Sequence, residues 1–293
     1  MTRSGFVALA GRPNVGKSTL ANAIVGAKVA IVSDKPQTTR RALRGIANGP
    51  EWQLVLIDLP GVQRPLDMLT ERMQHRVERE LQDADAALML IDAEAGVGPG
   101  DRFIATALRS TGLPVVIAVN KIDRTDRART AAALQAAADL DVADDVFPIS
   151  ARTGSGVQPL VDQLVSLLPE GPLYFEPGQP SDQTEEVRLA ELVREQVLRR
   201  TREEVPHAVE VQVDAIEHPR EDLLRVEAVV LVETESQKGI LIGAGGQMIK
   251  SIGIAARRAI QRELSIQVHL ALKVRVRHHW RADERVLDRL GIE

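Results

Sequence analysis

Apolar and polar positions over the first 168 residues alternate between two patterns. Short unbroken apolar runs, FVALA (6–10), QLVLID (53–58), AALMLID (86–92), LPVVIAVN (113–120) and VFPIS (146–150), read as strands. Between them, stretches at helical period predict helices over 18–25, 66–81, 101–109, 127–138 and 157–168. This alternation predicts an α/β unit, a mostly parallel sheet with helices on both faces. VVIAV is apolar on both sides, as a central parallel strand requires. The pattern breaks at LPEGPLYFEPGQPSD (168–182), where four prolines and two glycines predict a linker. Beyond it come a helix over 184–200, strands over 207–217 and 223–234, a glycine loop at 243–246, a helix to Leu264, a strand over 265–276 and a short helical tail. The expected division is therefore an α/β domain over 1–168, a linker over 169–183, an α+β domain over 184–280 and a tail over 281–293.

Composition narrows this picture. A chain of 293 residues suits about two domains. With no cysteine, disulfides and zinc–thiolate sites are excluded, which fits a reducing cytoplasm. The N-terminus has no signal-like apolar core, and no run approaches the ~20 apolar residues that span a bilayer. A cytoplasmic protein with at most peripheral membrane contact is the expectation. The net charge of −4 is uninformative, but its distribution is not. Residues 182–235 carry a net −8 and residues 238–281 a net +8. A basic block this dense fits a phosphate-backbone partner, with a solvated charged face as the alternative.

Four motifs carry the chemistry. GRPNVGKS (11–18) joins a strand to a helix and fits the phosphate-binding loop G-x-x-x-x-G-K-[ST]. Gly11 and Gly16 let the backbone turn its N–H groups onto phosphate, while Arg12, Pro13, Asn14 and Val15 complete the cradle. Lys17 places a charge on the β- and γ-phosphates, Ser18 offers a hydroxyl to Mg²⁺, and Thr19 follows on the helix. DLPG (58–61) ends a strand: Asp58 suits the metal side and the Gly61 N–H the γ-phosphate. NKID (120–123) selects the base, because the Asp123 carboxylate accepts from both guanine donors, N1–H and the exocyclic amine. Asn120 and Lys121 belong to the same motif. ATP would leave that carboxylate unpaired, at substantial cost. Ser150 and Ala151 complete the pocket, the latter through its N–H.

These motifs resemble the translation-factor-related P-loop GTPases, which implies GTP/GDP and Mg²⁺ as ligands. By that resemblance Asn14 takes part in holding K⁺, the alternative being a hydrogen bond within the loop. In VSDKPQTTRRALRGI (32–46) a switch threonine should bind Mg²⁺. Thr38 and Thr39 both qualify by position, and the resemblance favours Thr39. Lys17, Thr39 and Gly61 are the expected catalytic groups. Position 62 is Val where some GTPases carry a water-orienting Gln, so slow intrinsic hydrolysis is expected.

In QKGILIGAGGQMIKSIG (237–253), Gly243, Ala244, Gly245 and Gly246 form a G-x-x-G loop at the head of the basic block. The stretch resembles the KH module, whose loop clamps about four nucleotides of RNA backbone. The α-β-β-α-α-β order suits its type II form. Ile242 and Ile249 are expected to floor the groove, with Lys238, Lys250 and Arg257 contacting phosphate. Aromatic residues are only 2% of the chain, which argues against stacking platforms of the RRM or OB kind.

PNVGKS, PQTTR, DLPGV, NKID, SA, LPEGP, REEVPHAV and the glycine loop together resemble the Era family of bacterial GTPases along essentially the whole chain. The resemblance implies a monomeric factor in assembly of the 30S ribosomal subunit. It would bind 16S rRNA near its 3′ end and associate peripherally with the inner face of the membrane. Two departures stand out: Leu59 for the usual Thr, and Ala244 for a usual Lys or Arg. The second implies one phosphate contact fewer. Two rival readings are a GTPase serving RNA modification and a membrane-associated GTPase whose basic block reads anionic lipid.

Overall fold

In the computed structural model, which describes residues 2–35, 38–61 and 67–292, each apolar run of the first half is a strand. In chain order the elements are β1 (Arg3–Gly11), α1 (Lys17–Val25), β2 (Leu43–Gly49), β3 (Trp52–Asp58), α2 (Met68–Gln82), β4 (Ala86–Asp92), α3 (Pro99–Thr111), β5 (Val115–Asn120), α4 (Arg127–Ala138), β6 (Val146–Pro148) and α5 (Val157–Leu167). They build a six-stranded sheet of order β2-β3-β1-β4-β5-β6, parallel except for β2 against β3. Alternation along each strand divides the core. Leu9, Leu56, Leu88 and Ala118 face Leu20 of α1 and Leu160 of α5. Ala8, Ile57, Met89 and Val119 face α2, α3 and α4. Each large aliphatic side chain so buried contributes about 1.5–3 kcal/mol. The parallel strands all end on one side, and the loops there carry the motifs.

Strand β2 was not expected. It is a half-polar edge strand whose Arg44 and Asn48 interrupt the apolar run, and it is fixed by its register with β3, from Leu43 opposite Asp58 to Gly49 opposite Trp52.

The Pro/Gly-rich segment expected to be a linker is largely bonded to this first unit. The Pro169 carbonyl accepts from Ser4 N–H at 3.1 Å, and the Thr2 carbonyl from Gly171 N–H at 3.0 Å. Gln53, fully buried on β3, accepts from the N–H groups of Tyr174 and Phe175 and donates to the Phe175 carbonyl, at 2.8–3.0 Å. Farther on, Ile46 N–H of β2 donates to the Pro180 carbonyl at 2.9 Å, and Gly45 bridges Ser181. Proline excludes this segment from regular structure but leaves its carbonyls free to accept. The chain passes from the first compact unit to the second between Asp182 and Gln183.

The second unit runs α6 (Glu185–Arg200), α7 (Val205–Ala208), β7 (Glu210–Arg220), β8 (Leu223–Val232), α8 (Glu235–Ile242), α9 (Gln247–Leu264), β9 (Gln267–Val276) and α10 (Glu284–Arg289). Its sheet is β7-β8-β9, with β8 and β9 parallel. The α-β-β-α-α-β order is as expected, with one short helical turn added before β7. Thr184 caps α6, its hydroxyl accepting from Val187 N–H. A Thr234–Gln237 capping box starts α8. Part of the acidic block is structural: fully buried Arg194 pairs with Glu191 at 2.8 Å and Glu210 at 3.5 Å. The tail belongs to this core. Trp280 is fully buried with its indole N–H on the Ala208 carbonyl at 2.9 Å, and Leu287, Leu290 and Ile292 are buried after it.

Candidate functional site

The end of β1 turns into the 11–18 loop, and α1 begins at Lys17. Gly16 adopts φ +103°, and a Cβ there would lie 2.3 Å from Asn120 Nδ2. Only glycine lets the loop touch the base motif so closely. Asn120 in turn donates to the Val15 carbonyl at 2.8 Å, and Lys121 Nζ to the Asn14 carbonyl at 2.7 Å. Two segments more than a hundred residues apart are thus locked together.

Lys17 Nζ lies across the cradle, donating to the Gly11 carbonyl at 3.0 Å and the Arg12 carbonyl at 3.2 Å. Desolvation pulls its pKa from 10.5 to about 8, with the Asp58 charge opposing. The Arg12 guanidinium points elsewhere, to Asp101 and the Gly96 carbonyl on the α3 side. Its contribution to the loop is main-chain.

Three oxygens converge beside Lys17. Ser18 Oγ donates to Asp58 Oδ2 at 2.6 Å, and Thr39 Oγ1 lies 3.1 Å from Ser18 Oγ and 3.3 Å from Asp58 Oδ2. Thr39, of the two candidate threonines, is the one that joins this cluster. Two hydroxyls and a carboxylate form a hard oxygen donor set of the kind Mg²⁺ takes. Gly61 packs on the loop: a Cβ there would meet Pro13 Cγ at 2.9 Å and the Pro13 nitrogen at 3.1 Å. Val62, together with Pro36 and Gln37 of the PQTTR stretch, lies outside the described residues.

At the ends of β5 and β6, Ser150 Oγ donates to Asp123 Oδ1 at 2.7 Å, and Arg152 Nε faces Oδ2 at 3.3 Å. Asp123 is held below the usual carboxylate range chiefly by the Ser150 hydrogen bond; partial desolvation opposes it, and the Arg152 and Arg124 charges add to it. Lys121 Nζ is also paired with Asp92 Oδ2 at 2.6 Å. The Ala151 N–H, expected to face the base, donates to Asn120 Oδ1 at 2.9 Å and so ties the Ser-Ala pair to the base motif.

In the second unit the glycine loop joins α8 to α9. Gly243 has φ 70° and ψ 173°, a region open essentially to glycine alone, and Gly245 and Gly246 have φ 57° and 76°. Around Gly245 and Gly246 there is open space for a ligand's close approach. Next to the loop, α9 and β9 enclose a groove of about 290 Å³ floored by Ile249, Leu270 and Leu272, with Lys250 and Arg257 at its rim. Ile249, Lys250 and Arg257 were expected there. Ile242 and Lys238 do not line it, and Lys238 instead pairs with Glu235 at 3.4 Å. Leu270, Leu272 and Ile254 were missed. The alternation in QVHLALKV placed the two leucines on one strand face, but nothing in the sequence placed that face against α9. A second groove of about 530 Å³, between α6 and α9, is lined by Arg200, Lys250, Arg258 and Arg262 among others. Lys250, Arg257 and Arg258 make no ion pair among the described residues.

The chain is similar to known proteins in both of its units. A family model described as a 50S ribosome-binding GTPase matches residues 6–121, and a KH-domain model matches residues 204–281. GTPase Era of Mycobacterium tuberculosis (strain H37Rv) is 45% identical over 294 residues, covering 98% of each chain. GTPase Era of Mycobacterium avium (strain 104) is 44% identical, covering 99% of this chain and 98% of its own. Among solved structures, Era in complex with MgGDPNP and nucleotides 1506–1542 of 16S ribosomal RNA is similar at TM-score 0.95 and 33% identity, over 100% of this chain and 99% of that one. A point variant of Aquifex aeolicus Era bound to GDP and AlF4⁻ is similar at TM-score 0.94 and 33% identity, over 99% of both chains.

Proposed function

Because this chain belongs to the Era family of GTPases, we propose that it is a GTP-driven switch that binds 16S rRNA near its 3′ end and acts in assembly of the 30S subunit. The observation that carries the reading is the pairing of a preformed guanine nucleotide site with a glycine-loop groove of apolar floor and basic rim in one chain. The family model over residues 6–121 is described by the large subunit, but it spans less than half of the chain. The solved neighbour carrying small-subunit RNA is similar along all of it.

In the nucleotide site, Lys17 would hold the β- and γ-phosphates and stabilise charge gathering on the transferring phosphoryl group. Ser18, Thr39 and Asp58 would hold Mg²⁺, which supplies charge neutralisation when bound. The Gly61 N–H would follow the γ-phosphate. Thr39 Oγ1 reaches the same carboxylate oxygen as Ser18, so loss of that cluster after hydrolysis would release the switch segment. Asp123 accepts the guanine edge, with Asn120, Lys121 and Ser150 as its frame. Asn14 remains the candidate for K⁺. Val62 cannot orient water, so the intrinsic rate should be slow and raised by an ion or partner.

The nucleotide state has a route along the chain. Thr39 leads into β2, and β2 carries Gly45 and Ile46, which hold residues 180–181 just before the crossing at Asp182. The second unit, read as a type II KH domain over 184–280 with its tail, would clamp single-stranded backbone at the glycine loop and seat bases on Leu270 and Leu272. The α6–α9 groove offers cations to further phosphates. No single helix among the described residues is long and apolar enough to cross a bilayer. A monomer in the cytoplasm, touching the membrane at most peripherally, is the state proposed.

The test is binding of labelled single-stranded RNA matching the 3′ end of 16S rRNA, against a scrambled strand and against anionic liposomes. Preference for the matching strand supports the reading. Equal affinity for both strands overturns it, and liposome binding without RNA binding replaces it with the lipid-reading alternative.

A further inference from the structure

Arg152 sits at the tip of the turn after β6, one residue beyond the Ser-Ala pair. The turn is tightly fixed: Gly154 N–H donates to the Ser150 carbonyl at 2.9 Å, and Thr153 N–H to Ser150 Oγ at 3.2 Å. From there the side chain reaches back to Asp123. Its Nε lies 3.3 Å from Oδ2, while Ser150 Oγ occupies Oδ1 at 2.7 Å. Both carboxylate oxygens therefore have side-chain partners within the chain, and Arg152 is the ion-pair partner on Oδ2.

The chemistry of that partner matters. Guanine presents Asp123 with N1–H and the exocyclic amine on one carbon, which is itself a guanidine fragment. The arginine guanidinium offers the same planar pair of donors. The small Ser150 hydroxyl can share Oδ1 with guanine, since a carboxylate oxygen has two lone-pair directions. The guanidinium is a planar group as broad as the guanine edge, and it faces Oδ2, the oxygen that the second guanine donor requires. Its side chain is 71% exposed, so the pair is solvent-screened and easily opened.

We propose that Arg152 is an internal competitor for the guanine edge: its guanidinium holds Asp123 when the pocket is empty, is displaced as guanine enters, and returns as the base leaves. The residue determines how tightly, and for how long, this site keeps GDP. The proposal rests on Asp123 being the group that reads guanine. Any nucleotide whose base does not engage Asp123 is indifferent to Arg152.

The test compares GDP dissociation and affinity for the wild type and Arg152→Ala, using a fluorescent GDP analogue in stopped flow with the full chain. Removing the competitor should tighten GDP by about two- to fivefold. Weaker or unchanged GDP binding overturns the proposal, the weaker result meaning that the guanidinium supports the bound base. A second background separates this from the reading beneath it. Asp123→Asn converts the acceptor pair to a donor and an acceptor, which suits xanthine with its C2 carbonyl. Asp123→Asn should therefore prefer XDP to GDP, and adding Arg152→Ala to it should leave XDP affinity unchanged. An equal gain for XDP in that background contradicts competition at Asp123. If Asp123→Asn still prefers GDP, the assignment of Asp123 itself falls, and the competitor with it.

Discussion

The nucleotide site and the RNA groove are built on opposite plans. In the first, loops at adjacent strand ends bring Lys17, Ser18, Thr39, Asp58, Asn120 and Asp123 together, and hydrogen bonds between distant segments lock them. In the second, one helix and one strand leave an open trough, and the functional atoms lie on its walls and floor. A site of the first kind needs particular residue types at particular backbone positions. A site of the second kind needs only apolar area, positive charge and a loop without side chains. Substitutions should therefore act sharply and locally in the nucleotide site, and by degrees in the groove.

The largest effect should come from Lys17→Ala. It removes the phosphate charge and should lower GTP turnover by about 10²–10³-fold, measured as phosphate release, while RNA affinity with the protein in its GDP form stays unchanged. Next is Gly246→Asp, which places a side chain at φ 76° and a negative charge where backbone phosphate must approach. RNA binding should weaken at least ~10-fold, with GTP turnover preserved.

A pH series sharpens the comparison from the nucleotide side. In the nucleotide-free protein the Lys17 pKa is depressed to about 8. Folding therefore disfavours the charged form, and the resulting penalty is fully present below about pH 8 and relieved as pH rises from about 8 towards 10.5. Bound phosphate favours the ammonium, so GDP binding should take up a proton and weaken as pH rises through about 8. Calorimetry in buffers of different ionisation enthalpy measures that uptake, and none should be seen with Lys17→Ala. Smallest is the groove floor. Leu272→Ser should cost about fivefold in RNA affinity, while Ile242→Ser, outside the groove, should cost less than about twofold.

The same contrast explains what could be read in advance. The parallel strands were legible because both faces are apolar, and the four motifs because each occupies a fixed strand end. β2 was not, since an edge strand tolerates Arg44 and Asn48 on its open side. The strap from 169 to 182 was not, because its anchors are main-chain carbonyls and the amide of Gln53, a residue that carries no signal for such a role. Thr38 and Thr39 are indistinguishable in sequence, and only the approach of Ser18 and Asp58 separates them. The hydrogen bond from the Ala151 N–H to Asn120 Oδ1 was not legible either, since it joins two motifs that only the fold brings together. Leu270 and Leu272 needed the packing of β9 against α9.

The central claim is that nucleotide state is read out as RNA binding. Its most direct test is the affinity of the full chain for a single-stranded 16S rRNA 3′-end oligonucleotide, measured with GDP and then with a non-hydrolysable GTP analogue in the presence of Mg²⁺. Tighter binding in the GTP-analogue form is the predicted result. Equal affinity in the two forms would contradict it, leaving two working sites in one chain with no communication between them.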